Sequence, residues 1–178
     1  MTQWLNRQDI YDGKIIRVSR AETLLAGQTQ CFDIVSHHGG AAVVPLRDGH
    51  VLLVRQRRPV VDESLLEIPA GKLESADDDP AARAQAELGE EIGYHAGRLI
   101  PVANFYVSPG YCTERIAVFL GLDLEPVEAE PEATEDIEIV EMPLDEARQM
   151  LDAGRFRDGK TIIGLRELLA YLAREGAQ

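Results

Sequence analysis

Gly71-Lys72-Leu73-Glu74-Ser75-Ala76-Asp77-Asp78-Asp79-Pro80-Ala81-Ala82-Arg83-Ala84-Gln85-Ala86-Glu87-Leu88-Gly89-Glu90-Glu91-Ile92-Gly93-Tyr94 carries a turn, a helix and clustered carboxylates in one run. Asp79 is a good N-cap, Pro80 takes the first helical position, where a missing N–H costs nothing, and Gly93 ends the run. Glu87 and Glu91 stand four apart and Glu87 and Glu90 three apart, so all three share one helical face. Like charges at those spacings repel, and they lie in the C-terminal half, where the helix dipole is already negative. The helix offers only Arg83 as a base of its own, which does not obviously compensate them. A cluster placed against both effects makes sense if divalent cations occupy it, and hard carboxylate oxygens suit Mg²⁺ or Mn²⁺. Taken alone, the same run would equally suit a solvated acidic face.

Outward from this helix the chain reads mostly as strands. Upstream, residues 11–35 suggest two or three short strands around a turn at Ala26-Gly27-Gln28, and Ala41–Leu46 and Val51–Arg55 flank Arg47-Asp48-Gly49-His50. Asp-Gly between apolar runs is a hairpin signal. Leu65–Pro69 is a further short strand closed by Pro69-Ala70-Gly71. Downstream, strands are expected near 99–107, 115–122 and 136–141, a helix after Pro143 with Gly154 just past its end, and another over about Thr161 to Arg174. Strands with one embedded helix and two late ones predict an α+β domain whose helices pack on sheet faces.

The length of 178 residues fits one domain with at most a small appendage. A net charge of −13 argues against nucleic acid as a partner, since that affinity comes from clustered Lys and Arg. Phosphorylated ligands remain open to an acidic protein when divalent cations stand between the charges. Apolar runs such as Val51-Leu52-Leu53-Val54 are far too short for a membrane span, and Met1-Thr2-Gln3-Trp4 leads into polar residues rather than a leader, so a cytoplasmic protein with no membrane partner is expected. Cys31 and Cys112 form no CxxC and are expected to be buried small hydrophobes.

The segment 71–93 resembles the Nudix box, G-x5-E-x7-R-E-U-x-E-E-x-G-U, with U a bulky apolar residue. Glu87-Leu88-Gly89-Glu90-Glu91-Ile92-Gly93 matches its second half at every fixed position. Three departures stand out. Gly71 precedes Glu87 by sixteen residues instead of fifteen, an insertion best placed in loop 74–79; the first box Glu becomes Asp77 or Asp78; and the box Arg is replaced by Ala86. Further stretches are similar to the ADP-ribose pyrophosphatase branch: Val54-Arg55-Gln56-Arg57-Arg58-Pro59, Leu66-Glu67-Ile68-Pro69-Ala70-Gly71-Lys72, Pro109 sixteen residues after Gly93, and Asp158-Gly159-Lys160-Thr161-Ile162.

This resemblance implies a Nudix fold, a mixed β-sheet sandwiched between helices, with an N-terminal antiparallel strand region over 1–38 that dimerises and a hydrolase domain over 39–178. It implies a Mg²⁺ cofactor, Mn²⁺ being a possible substitute, held by Glu87, Glu91 and the Ala70 carbonyl, with Glu90 as a further ligand or bridge. A downstream glutamate acts as general base or extra metal ligand in that branch, and Glu135 is the first choice here, Glu132 the second. Arg58 is expected on phosphate, since a planar guanidinium suits phosphate oxygens. Glu114 resembles a family acid that contacts the ribose or a metal through water, and Pro109 and Gly110 belong to the substrate loop. The implied activity is hydrolysis of ADP-ribose to AMP and ribose 5-phosphate by a homodimer. The alternatives are another nucleotide-sugar substrate such as GDP-mannose, or a nucleotide-binding module without catalysis.

Overall fold

The computed structural model describes residues 2–127 and 137–176. Trp4–Asp12 (β1), Arg17–Leu25 (β2) and Gln28–Ser36 (β3) form an antiparallel three-stranded sheet. The second sheet contains Gly40–Arg47 (β4), His50–Arg58 (β5), Glu63–Glu67 (β6), Ala70–Lys72 (β7), Tyr94–Tyr106 (β8), Arg115–Pro126 (β9) and Ile137–Pro143 (β10). Its main path runs β10-β5-β4-β9-β8, with β6 on β5 and β7 on β4, and it is mixed because β4 and β9 are parallel. Three helices complete the described residues: Pro80–Ile92 (α1), Leu144–Asp152 (α2) and Gly159–Glu175 (α3).

Strand alternation divides the core into two layers. Ala41, Val43, Leu52 and Val54 pack with Ala84, Leu88 and Ile92 of α1, whereas Ala42, Val44, Val51 and Leu53 pack with Leu165 and Leu168 of α3. Both faces of β4 and β5 are therefore covered, which is why their sequences read as continuous apolar runs. The sandwich and the α+β class agree with the sequence.

The expected hairpin turn is present, with Asp48 and Gly49 both in the left-handed region at φ 49° and 76°. Asp79 caps α1 by accepting from Ala81 N, and Gly93 closes it in the left-handed conformation. Three boundaries differ from the sequence reading. β1 begins at Trp4 because its side chains are exposed throughout and carry no burial alternation to read. β8 starts at Tyr94 because the Gly93 cap turns the chain straight into pairing with the end of β9. β6 covers Glu63–Glu67 because its register on β5 pairs Glu63 with Arg58. Cys31 is exposed and Cys112 half-buried, because this edge of the small sheet faces outward in the single chain.

Candidate active site

The turn after β6 sets the floor of the site. Pro69 O accepts from Val43 N at 3.0 Å, β7 pairs with the start of β4, and Leu73 N donates to Gly39 O at 3.0 Å. From the opposite layer, Thr161 Oγ1 accepts from Ile68 N at 2.9 Å and donates to Asp158 Oδ2 at 2.6 Å. Asp158 also caps α3 through Thr161 N. Loop 74–79, where the extra residue was placed, is closed by Asp78, which accepts from Glu74 N at 2.7 Å and from Ser75 N at 3.0 Å. Of the two candidates for the first box acid, Asp78 is thus the one that organises the loop.

α1 lays its carboxylates on this turn. Glu87 is buried at 4% exposure, and a Cβ at Gly71 would overlap its Oε1 and come within 2.8 Å of Arg83 Nε. Glycine at 71 is what lets the helix carboxylate reach the backbone. Glu91 Oε2 accepts from Ala70 N at 3.3 Å. Arg83 Nη2 donates to Glu87 Oε1 and, at 3.2 Å, to Glu90 Oε2. This corrects the expectation that Arg83 does not compensate the cluster: positions 83, 87 and 90 fall on one helical stripe, so one guanidinium serves both acids. Glu91 thus meets Ala70, and Glu87 and Glu90 are joined through Arg83.

A second charged cluster lies behind the turn. Arg58 forks onto Glu67 at 2.7 and 2.8 Å, and Lys160 donates to the same carboxylate while standing 3.0 Å from Asp158. Glu67 is 1% exposed and Lys160 9%. Arg58, expected on phosphate, is thus anchored by Glu67, with Arg55 on Glu138 and Arg57 on Asp62 along the other face of β5. Hydrogen bonding to Glu67 raises the Arg58 pKa, against the opposing effect of burial, with smaller help from the charges of Glu67, Asp158 and Glu91. Sequence reasoning assigned no role to Glu67, Lys160 or Thr161. The available signals were an acid inside the apolar run Leu65-Leu66-Glu67-Ile68 and the likeness of the two stretches that hold these residues to the pyrophosphatase branch.

Burial alone would push the Glu67 carboxyl up, but the hydrogen bonds and charges of Arg58 and Lys160 outweigh it and hold it below its ordinary 4.5. A depressed native pKa contributes stability that is present above the unfolded value and lost as pH falls through the native one. Urea midpoints measured from pH 6 downward are therefore expected to fall below about pH 4.5, and more shallowly in Glu67→Gln.

The predicted substrate loop lies against the end of β3. Val35 N donates to Tyr111 O at 2.7 Å and Thr113 N to Val35 O at 2.9 Å. Pro109 and Gly110 line a cleft of about 290 Å³ with Trp4, Phe32, Ile34 and Tyr111. Glu114 stands 3.7 Å from His37 Nδ1, which accepts from Gly39 N at 2.9 Å. The His37-Gly39 link thus joins this loop to the box turn, since Gly39 also holds Leu73. Glu132 and Glu135 lie outside the described residues.

The donor set suits a divalent cation. Three carboxylates against one guanidinium leave two negative charges at an oxygen-rich turn. Among the described residues no three His, Cys, Asp or Glu side chains are gathered into a ready cage, as Arg83 and Ala70 N hold them in this structure. No described helix is long and apolar enough to cross a membrane.

The NUDIX domain model matches residues 36–163. The ADP-ribose pyrophosphatase of Bacillus subtilis (strain 168) is 34% identical over 166 residues, covering 91% of this chain and 89% of that protein. The methanol dehydrogenase activator of Bacillus methanolicus is 33% identical, covering 92% and 90%. A GDP-mannose pyrophosphatase of Citrobacter koseri is 37% identical over 131 residues, covering 68% and 65%. The crystal structure of an ADP compounds hydrolase superposes with a TM-score of 0.86 over 98% of this chain and 96% of that one, at 19% identity, a likeness of fold.

Proposed function

The chain belongs to the Nudix family, and from that premise we propose that it is a Mg²⁺-dependent pyrophosphatase that hydrolyses ADP-ribose to AMP and ribose 5-phosphate. The observation that carries this reading is the seating of Glu87 over Gly71 and of Glu91 on Ala70 N. The similarity to an ADP-ribose pyrophosphatase over 91% of this chain and 89% of that protein supports the substrate.

Glu87, Glu91 and the Ala70 carbonyl would hold Mg²⁺, with Glu90 as a further ligand. When bound, the ion supplies a water of lowered pKa and neutralises charge on the phosphate oxygens. Glu135, or failing it Glu132, takes the proton of the attacking water as the P–O–P bond breaks. Arg58, fixed through Nε and Nη2, offers its Nη1 edge to a phosphate oxygen. Pro109, Gly110 and Tyr111 border the base cleft, whose Trp4 and Phe32 rings stand edge to face at 6.1 Å, and Glu114 contacts the ribose.

We assign residues 1–38 to dimerisation and 39–178 to the hydrolase domain. Trp4, Leu5, Ile10, Tyr11, Leu24 and Leu25 are exposed on the small sheet, and β1 is an open edge. A second copy would cover both the apolar surface and the edge. We place the enzyme in the cytoplasm.

Incubation with Mg²⁺ and, separately, ADP-ribose, GDP-mannose, NADH and UDP-glucose, with products resolved by chromatography, tests the reading. AMP and ribose 5-phosphate formed fastest from ADP-ribose is the expected result. The similarity to GDP-mannose pyrophosphatases favours GDP-mannose as the second reading, and faster cleavage of it would move the specificity. No cleavage with Mg²⁺ or Mn²⁺ would favour the binding module.

A further inference from the structure

We propose that Arg83 is the positioning residue of the carboxylate cluster, supplying from one helical turn earlier the guanidinium that position 86 does not provide. The proposal rests on Glu87 and Glu90 holding the cation, as in the reading above.

An ordinary exposed i,i+4 pair on a helix contributes little. The pair here differs in three respects. Glu87 is buried, its side chain 5% exposed, so its charge needs a fixed partner. The same Nη2 reaches Glu90 at 3.2 Å, tying two carboxylates that would otherwise repel across one turn. Arg83 Nε lies where a Cβ at Gly71 would come within 2.8 Å, so the guanidinium is packed on the backbone turn that offers the Ala70 carbonyl. Glu87 and Glu90, which it grips, both belong to the proposed cation site.

Position 86 is another place on α1 from which an arginine reaches Glu90. It lies three residues after Arg83 and four before Glu90, on the adjacent stripe, and holds alanine. An arginine at either position can reach Glu90. A guanidinium gripping Glu87 Oε1 and Glu90 Oε2 together fixes the rotamers of both acids. Arg83 therefore acts on the cation through Glu87 and Glu90, not on substrate.

The test compares wild type, Arg83→Ala, Arg83→Lys and the double variant Arg83→Ala/Ala86→Arg. Mn²⁺ binding is measured by calorimetry without substrate, and ADP-ribose turnover is measured across Mg²⁺ concentration. Arg83→Ala is expected to weaken Mn²⁺ binding by about 10–100-fold and to lower kcat with little change in KM for ADP-ribose. Arg83→Lys, which keeps charge and helix but lacks the planar fork, falls between. The double variant regains most of the lost Mn²⁺ affinity. Wild-type Mn²⁺ affinity in Arg83→Ala, or a double variant no tighter than the single, overturns the proposal. A wild type that binds Mn²⁺ but cleaves no nucleotide sugar overturns the function and leaves the Mn²⁺ comparison to decide on Arg83. A wild type that binds no Mn²⁺ overturns both.

Discussion

Glu87→Gln turns over ADP-ribose with Mg²⁺ at least about a hundredfold more slowly than wild type, the scale of losing a main electrostatic element of an active site, while its unfolding midpoint stays close to wild type. Glu91→Gln behaves alike. The two halves of this expectation come from one geometry. Glutamine at 87 has the shape of glutamate, and its carbonyl oxygen still accepts from Arg83, so the packing against Gly71 persists. The substitution also removes one of three like charges from the C-terminal half of α1, which relieves repulsion without a cation present. What disappears is the negative oxygen that a hard divalent ion requires. Folding held by that carboxylate would show as a large loss of the midpoint. Normal Mg²⁺-dependent rates would remove Glu87 from the cation site.

Residues whose chemistry is local were legible in the sequence. Asp79, Pro80 and Gly93 mark the ends of α1, and the spacing of Glu87, Glu90 and Glu91 puts them on one face wherever the helix packs. Asp48-Gly49 sets its hairpin because only a few residues tolerate left-handed backbone there. What stayed hidden depends on contacts across the chain. Glu67 and Lys160 lie 93 residues apart and meet only because α3 packs on the sheet face opposite α1. Nothing in either neighbourhood announces the other. Arg83 was visible as a lone base, but its reach to Glu90 depends on the burial of Glu87 beside Gly71. β1 was missed because an all-exposed strand carries no burial pattern, and its apolar residues read as noise until their shared surface is seen.

Glu67→Met is expected to lower stability by about 3 kcal/mol, near the low end for breaking a buried pair from one side, and the melting temperature by roughly 6–12 °C for a chain of this size. Arg58 can turn to solvent, its side chain being 41% exposed, whereas Lys160 at 10% cannot. Lys160 keeps Asp158 at 3.0 Å, which is why the low end applies. A buried ammonium left with one partner is the dominant cost. Replacing both ends, as Glu67→Met/Lys160→Met, removes that charge and should recover most of the loss, since an apolar pair of similar volume often matches a buried ion pair. Thermal melts of the two variants test this, and a double variant as unstable as the single would place the cost in packing instead of charge. Glu67 also opens the turn that presents the Ala70 carbonyl, three residues on, with Ile68 N tied to Thr161 in between. The Mg²⁺ concentration for half-maximal turnover separates two roles for the cluster. If the double variant regains stability but still needs more Mg²⁺, Glu67 and Lys160 set the orientation of the turn as well as joining α3 to the sheet. If both recover together, the Thr161–Ile68 bond and the β7–β4 pairing suffice to aim it.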